Sequence, residues 1–210
     1  MKPNRFRRAR EFACCSIIVF GLGGCGSMKP LPSDTFYRLN IDFDSVVIPA
    51  GQRWTDKTIR VAKFRASGVH RERAIAYSEH GGLLVKQHRY QLWIDSPERM
   101  LQNELVSYLR AIGAAPGVTG SESADAGFEI QGRIRRMDQV IEGDTLNATV
   151  VLAFELLERG GAQTLIFGRE YRESRTVSSD DMRATISAIS DSVTAIFERF
   201  VGDAGDALRN

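Results

Sequence analysis

The chain holds three histidines, His70, His80 and His88. Their spacings of 10 and 8 residues put no two of them on one helix face, so a metal site built on them is not expected. Serines are plentiful, yet no G-x-S-x-G elbow occurs. Asp180 and Asp181 are adjacent carboxylates just ahead of a helically periodic segment, where such a pair complements the helix dipole rather than moving protons. Gly21-Leu-Gly-Gly-Cys-Gly26 fits G-x-G-x-x-G literally. A dinucleotide fingerprint needs a strand before it, a helix after it and an acid about 20 residues on, and here Pro30 and Pro32 follow. No G-x-x-x-x-G-K-[ST] occurs, so P-loop nucleotide binding is excluded. Asn147-Ala-Thr149 matches a glycosylation sequon but sits inside a strand pattern. These residues assemble no catalytic constellation, and no enzyme activity, cofactor or metal is expected of them.

Cys25 is different, because its surroundings specify a chemistry. Lys2, Arg5, Arg7, Arg8 and Arg10 open the chain, and an uncharged run follows from Phe12 to Leu22. Eleven residues are too few to cross a bilayer, which takes about 20. They suit the apolar region of a secretory signal. The run ends in Leu22-Gly-Gly-Cys25, which resembles the bacterial lipobox. In such signals the cysteine sulfur takes a diacylglycerol, the peptide is cut before it, here between Gly24 and Cys25, and the new amine is acylated. Small residues at Gly23 and Gly24 let a peptidase approach the backbone. Residues 1–24 therefore read as a signal peptide, 25–35 as a lipid-anchored tether and 36–210 as one domain. The cut removes Cys14 and Cys15 and leaves Cys25 alone, so neither a disulfide nor a thiolate metal site is expected. Taking 24 residues from 210 leaves 186, ample for a core of its own.

Composition sets the class around that anchor. Apolar residues make up 43% and charged residues 26%, with 19 Gly and 6 Pro, which suits a globular fold and excludes collagen-like or low-complexity chains. The formal charge of +2 gives no electrostatic footprint for nucleic acid. Five of the 28 basic residues and one of the 26 acids lie in residues 1–24, so the mature side chains hold 23 bases against 25 acids. Charge is uneven along that chain. Residues 53–73 carry seven bases against two acids, and residues 178–206 carry two bases against six acids. Such runs are ordinarily solvated faces. The sharper expectation is that Arg60, Lys63, Arg65, Arg71 and Arg73 contact anionic headgroups or an acidic partner.

The elements that would position these groups follow from periodicity. Tyr37, Leu39, Ile41 and Phe43 alternate with polar residues as in a half-buried strand, and residues 58–64 read as a second. Residues 74–77 and 83–86 flank a Gly-Gly turn and read as a hairpin. Ser96-Pro97-Glu98 opens a helix with an N-cap, a proline in the first turn and an acid near the dipole's positive end. Leu101, Leu105, Tyr108, Leu109 and Ile112 form its stripe, and Gly113 ends it. Residues 113–127 read as an exposed loop, and Trp93 as core. Strands over 127–137, 146–157 and 164–174 form a meander with the middle strand central. Ser178 or Ser179 caps a last helix whose stripe runs from Met182 to Phe200. The fold class is α/β of the α+β kind: a mixed, mainly antiparallel sheet with both helices packed on one face.

Cys25, Phe36-Tyr-Arg-Leu39, the hairpin to Val85, and Tyr90-Gln-Leu-Trp93 followed by Pro97 and a Leu-rich helix form an ordered series. The series resembles the ABC-type transport auxiliary lipoprotein family over nearly all of the mature chain. Two positions depart from that family's pattern. Phe36-Tyr37 stands for a tyrosine pair, and Leu92 for a basic residue before the tryptophan. The resemblance implies a periplasm-facing lipoprotein that accompanies a mammalian-cell-entry (MCE) domain protein, its ABC ATPase and its permease. Such systems move phospholipid or other hydrophobic molecules. It implies membrane attachment through the lipid anchor, no nucleic-acid partner, and room for a homo-oligomer. The sorting rule for such lipoproteins retains Asp after the cysteine in the inner membrane, so Gly26 points to the periplasmic face of the outer membrane. The competing reading is an assembly lipoprotein serving lipopolysaccharide or outer-membrane barrel insertion. Metabolic labelling with a fatty-acid analogue is expected to mark the wild-type protein and not Cys25→Ala. Label that persists in the variant refutes lipidation at Cys25.

Overall fold

The structure is a computed structural model that describes residues 32–41, 53–122 and 125–209. The chain divides after Pro32, and the fold described here belongs to Ser33–Asn210. Gly24 and Cys25 lie outside the described residues. Among the described residues eight strands form one sheet and two α-helices accompany it. In chain order they are β1 (Thr35–Tyr37), β2 (Ile59–Val61), β3 (Ala74–Glu79), β4 (Leu84–Trp93), α1 (Pro97–Ala111), β5 (Val118–Thr119), β6 (Phe128–Glu142), β7 (Thr145–Glu158), β8 (Thr164–Thr176) and α2 (Met182–Arg209).

The sheet is built around β6. Its first half pairs with β2 and its second half with β3, both parallel, while β7 runs antiparallel along its other side. β8 follows β7 antiparallel, β4 follows β3 antiparallel, and the short β1 and β5 add parallel to β4 and β2. The three long pairings are thus antiparallel within a mixed sheet, the expected class. β7 is internal, as its two apolar faces suggest, but β6 is the strand that joins the two halves.

β6 earns that position through its alternation. Phe128, Ile130, Gly132 and Ile134 turn toward the helices, and Glu129, Gln131 and Arg133 turn away. Period 2 would next send Arg136 and Asp138 into the core. A bulge between Ile134 and Arg136 resets the phase, and Met137 and Gln139 face inward instead. Gln139 then donates to Thr185 of α2 at 3.0 Å, which confirms its direction.

Both helices lie on the inward face and meet through aromatics. Phe154 of β7 stacks on Phe200 of α2 with ring centroids 4.3 Å apart, and meets Phe64, Tyr171 and Phe197 edge-on. Tyr108 of α1 meets Phe197 edge-on at 5.8 Å. Gly132 is the β6 residue opposite Phe154, and Phe64 occupies the space its missing side chain leaves. Trp93, expected in the core, is 1% exposed.

Several expectations shift. The first strand covers Thr35–Tyr37 rather than the alternating run to Phe43. Leu39 and Ile41 are buried beyond its end, and Phe43 lies outside the described residues. Alternation there reported burial, not pairing, because β4 offers β1 only Gln91 to Trp93. Residues 113–127 are not simply an exposed loop. Ala114, Val118 and Ala126 are buried and β5 pairs with β2. The cap of α2 is Asp181, not Ser178 or Ser179. Its carbonyl accepts from Thr185 N and its carboxylate from Arg183 N, so the helix starts one turn later than the serines imply. Ser96 does cap α1, accepting from Arg99 N at 3.4 Å.

A Cβ added to Gly132 would stand 2.4 Å from the Phe64 ring, so Gly132→Ala overpacks the centre of the core. The expected cost is about 1–3 kcal/mol, or a fall in melting temperature of about 3–10 °C. Adding Phe64→Leu should recover part of it. A melting temperature unchanged in Gly132→Ala shows that the ring yields freely and that this contact does not constrain the sheet.

Candidate functional site

The five bases singled out from the sequence do not form one patch. Lys63 pairs with Glu98 in the first turn of α1 at 3.3 Å. Arg73 donates to the carbonyls of Trp93 and Ile94, each at 3.0 Å, and covers the Phe36 ring, so its role is to tie β1 and β4 together. Arg71 is exposed and without a partner among the described residues. Arg60 and Arg65 alone turn to the sheet face that carries neither helix. They part from Arg71 and Arg73 because β2 runs beside β6, whereas the chain beyond Arg65 departs from it through a short helical turn over Gly68–Arg71, and Lys63 between them turns to α1 instead.

On that outer face Arg60 and Arg65 meet groups from distant parts of the chain. Arg60 of β2 pairs across the strands with Glu129 of β6 and donates to its carboxylate through both Nε and Nη2. Arg159, at the β7–β8 turn, reaches the same carboxylate oxygen at 3.7 Å. Gln131 donates to the other Glu129 oxygen at 2.8 Å and accepts from Arg65. One carboxylate and one amide thus hold three guanidiniums. Arg65 sits directly opposite Arg133 in a parallel bridge, and Arg135, in the bulge, pairs with Glu170 of β8 at 3.5 Å.

The groups surround two adjoining hollows that share Gln131. One is a shallow cleft of about 400 Å3 between Arg60, Glu129 and the Arg159-Gly-Gly161 turn. The other, of about 70 Å3, lies between Arg65, Arg133, Arg135 and Glu155. The Glu129 side chain is only 6% exposed. Burial by itself would raise its pKa. Hydrogen bonds from Arg60 and Gln131, and the charges of Arg60 and Arg159, outweigh burial and hold it below the usual carboxylate value. The charged form is therefore the one the fold is built for, and it holds Arg60 and Arg159 directly and Arg65 through Gln131.

Elsewhere on this face Arg136 donates to Asp138 at 2.7 Å and to Ser78 at 2.6 Å, both almost wholly buried. The histidines are less exposed than loop positions imply. His88 is in mid-strand, against the Tyr77 ring and Gln139, and burial lowers its pKa. Burial also lowers that of His70. His80 alone is an exposed turn residue. Among the described residues no three His, Cys, Asp or Glu side chains come together to hold a metal ion.

The sequence reading missed Glu129, Gln131, Arg133, Arg135 and Arg159. The signal that finds the first three is Glu-x-Gln-x-Arg on the outward phase of β6; Arg135 in the bulge and Arg159 in the turn lie outside it. It becomes a site only once the parallel pairing of β2 is known.

The sign of the Glu129 shift fixes a pH dependence. Its folded-state pKa is depressed, so the stability it contributes is present above the ordinary carboxylate value and is lost as pH falls through the folded value. Glu129→Gln is expected to cost about 3 kcal/mol at neutral pH, because Arg60 and Arg159 lose their counter-charge. It should also flatten the decline in melting temperature between about pH 5 and pH 3. Parallel acid profiles for the two proteins contradict this.

No protein-family model and no curated protein matches the chain. Solved structures do. Protein XCC0632 from Xanthomonas campestris, described as DUF330, is 20% identical, covers 82% of this chain and 96% of its own, and superposes with a TM-score of 0.71. An uncharacterized protein, 11% identical, covers 82% of this chain and 99% of its own at 0.64. A provisionally assigned lipoprotein from Caulobacter crescentus, 12% identical, covers 64% and 91% at 0.38, too low to carry an argument. At these identities the first two likenesses establish a shared fold and nothing finer.

Proposed function

We propose that the chain is a lipid-anchored, non-catalytic lipoprotein on the periplasmic face of the outer membrane. In this reading it is the auxiliary component of an ABC transport system built on an MCE-domain protein, its ATPase and its permease. The cargo class is phospholipid or another hydrophobic molecule. The observation that carries the reading is the position of Leu22-Gly-Gly-Cys25 ten residues ahead of the first strand at Thr35. Ten residues span at most about 33–36 Å, so a module tethered there works close to its membrane.

Further support is physical. A triacylated cysteine buries three chains at about 0.8 kcal/mol per CH2, well beyond what a single chain provides. Gly26 lacks the retention residue. The chain contains no P-loop sequence, so ATP hydrolysis belongs to another component. No helix among the described residues is long and apolar enough to cross a membrane. The arginine-lined outer face, clear of both helices, provides a surface on which to dock.

Affinity purification of the protein from crosslinked envelopes tests the reading. An MCE-domain protein is expected among the captured chains. Recovery of barrel or lipopolysaccharide-assembly components, with no MCE-domain protein, overturns it in favour of an assembly role.

A further inference from the structure

The arrangement of charge on the outer face goes beyond what a docking surface needs. Arg60, Arg65, Arg133, Arg135 and Arg159 line two adjoining hollows in which the acids, among the described residues, are Glu129 and Glu155, with Glu170 paired to Arg135 beside them. Lys57 and Glu158 flank them as a closed pair at 2.8 Å. Arg65 and Arg133 stand opposite each other across paired strands, a juxtaposition of like charges that destabilises a sheet. Among the described residues the Arg133 side chain has no partner. Arg60 and Arg159 both reach the one buried carboxylate of Glu129, and Arg135 is paired with Glu170. Among the described residues that leaves Glu155 alone to balance Arg65 and Arg133, so the seat between those two is short of negative charge.

We propose that this site binds a phosphate-type oxyanion, seated between Arg65 and Arg133, with Arg60 and Arg159 as the second wall. Guanidinium forks match a tetrahedral oxyanion bidentately, and a phosphate group carries the negative charge that the Arg65–Arg133 seat is short of. The arginines come from β2, the segment just after it, β6 and the β7–β8 turn and gather around Gln131, so they suit a compact anion better than an extended acidic segment. Glu129 and Gln131 orient Arg60, Arg65 and Arg159 before the anion arrives, which lowers the cost of ordering them and leaves Arg133 to close on it. The inference does not depend on the transport role. The anion is a free phosphate or the phosphate of a lipid headgroup, and the two are separable by experiment.

The test uses the lipid-anchored protein in a neutral detergent, titrated at constant ionic strength. The probes are inorganic phosphate, dihexanoyl phosphatidylglycerol and hexaglutamate, read by calorimetry and by melting temperature. Saturable one-site binding of phosphate is expected, with a rise in melting temperature as binding stabilises the fold. Arg133→Ala should weaken binding at least tenfold and abolish the phosphate-induced rise. Without phosphate, its melting temperature should be equal to or above that of the wild type, because a repulsion is relieved. Arg133→Lys should retain part of the affinity, and Arg71→Ala all of it. Tighter binding of the lipid than of phosphate supports the proposal with a headgroup as its source, and the reverse order supports it with free phosphate. The proposal is overturned if neither phosphate probe saturates, if Arg71→Ala weakens binding as much as Arg133→Ala, or if hexaglutamate alone binds. The last outcome would make the site a seat for an acidic protein segment. Failure here leaves co-purification with an MCE-domain protein untouched.

Discussion

The fold turns on one close approach. Phe64 lies over Gly132, against Phe154, and Phe154 in turn stacks on Phe200. A larger residue at 132 would lift the Phe64 ring, and with it the chain that leads out of β2. β2 holds Arg60 beside Glu129, so the outer face depends on packing at the inner one. The aromatic stack also joins the two helices, since Phe197 touches both Phe154 and Tyr108. Rings of this size contribute about 1.5–3 kcal/mol each on burial and dominate the contact between layers.

β6 shows how one strand serves two purposes without conflict. Before the bulge its inward phase is Phe128, Ile130, Gly132 and Ile134, and its outward phase Glu129, Gln131 and Arg133. The bulge at Ile134–Arg136 keeps apolar residues inward while two successive arginines pass to the outer side. One of them closes on Asp138 and Ser78, where the burial of an acid requires a partner. The other remains at the rim of the arginine cluster. The site is thus a consequence of strand phase, and its geometry is as rigid as the strand that carries it.

That dual role explains what the sequence discloses and what it hides. The long meander, the Ser96-Pro97 helix start and the apolar stripes of both helices were legible because each is written within one segment. Parallel pairing is not. Nothing local to residues 58–64 says that they lie beside Phe128–Ile130 rather than beside the next strand in the chain. Linear charge counting therefore grouped Arg60 with Lys63, Arg71 and Arg73, although the fold disperses them to α1, to solvent and to the β1–β4 seam. The bulge has a local trace, Arg135-Arg136 between Ile134 and Met137, where period 2 fails. The cap of α2 also eluded the reading, since two serines and two aspartates compete there and only the backbone geometry selects Asp181.

The apparent charge dipole of the sequence dissolves for the same reason. Asp203 of the acidic last helix faces β8, which supplies its counter-charge, while Asp181 and Asp206 pair locally with Arg183 and Arg209. Arg169 and Tyr171 both donate to Asp203 at 2.6 Å, and Arg199 of the helix returns a pair to Glu173 at 2.7 Å. β8 can do this because its inward phase carries Arg169, Tyr171 and Glu173, while its outward phase carries Glu170 and Arg172. Asp203 and Glu173 are thus paired between the helix and the sheet. Positive charge on the opposite face is less well matched among the described residues: Glu129 is shared, Glu155 is exposed, and Arg65 and Arg133 confront each other. A chain of nearly balanced charge can therefore present one basic surface, because Asp203 and Glu173 are committed where the last helix meets the sheet.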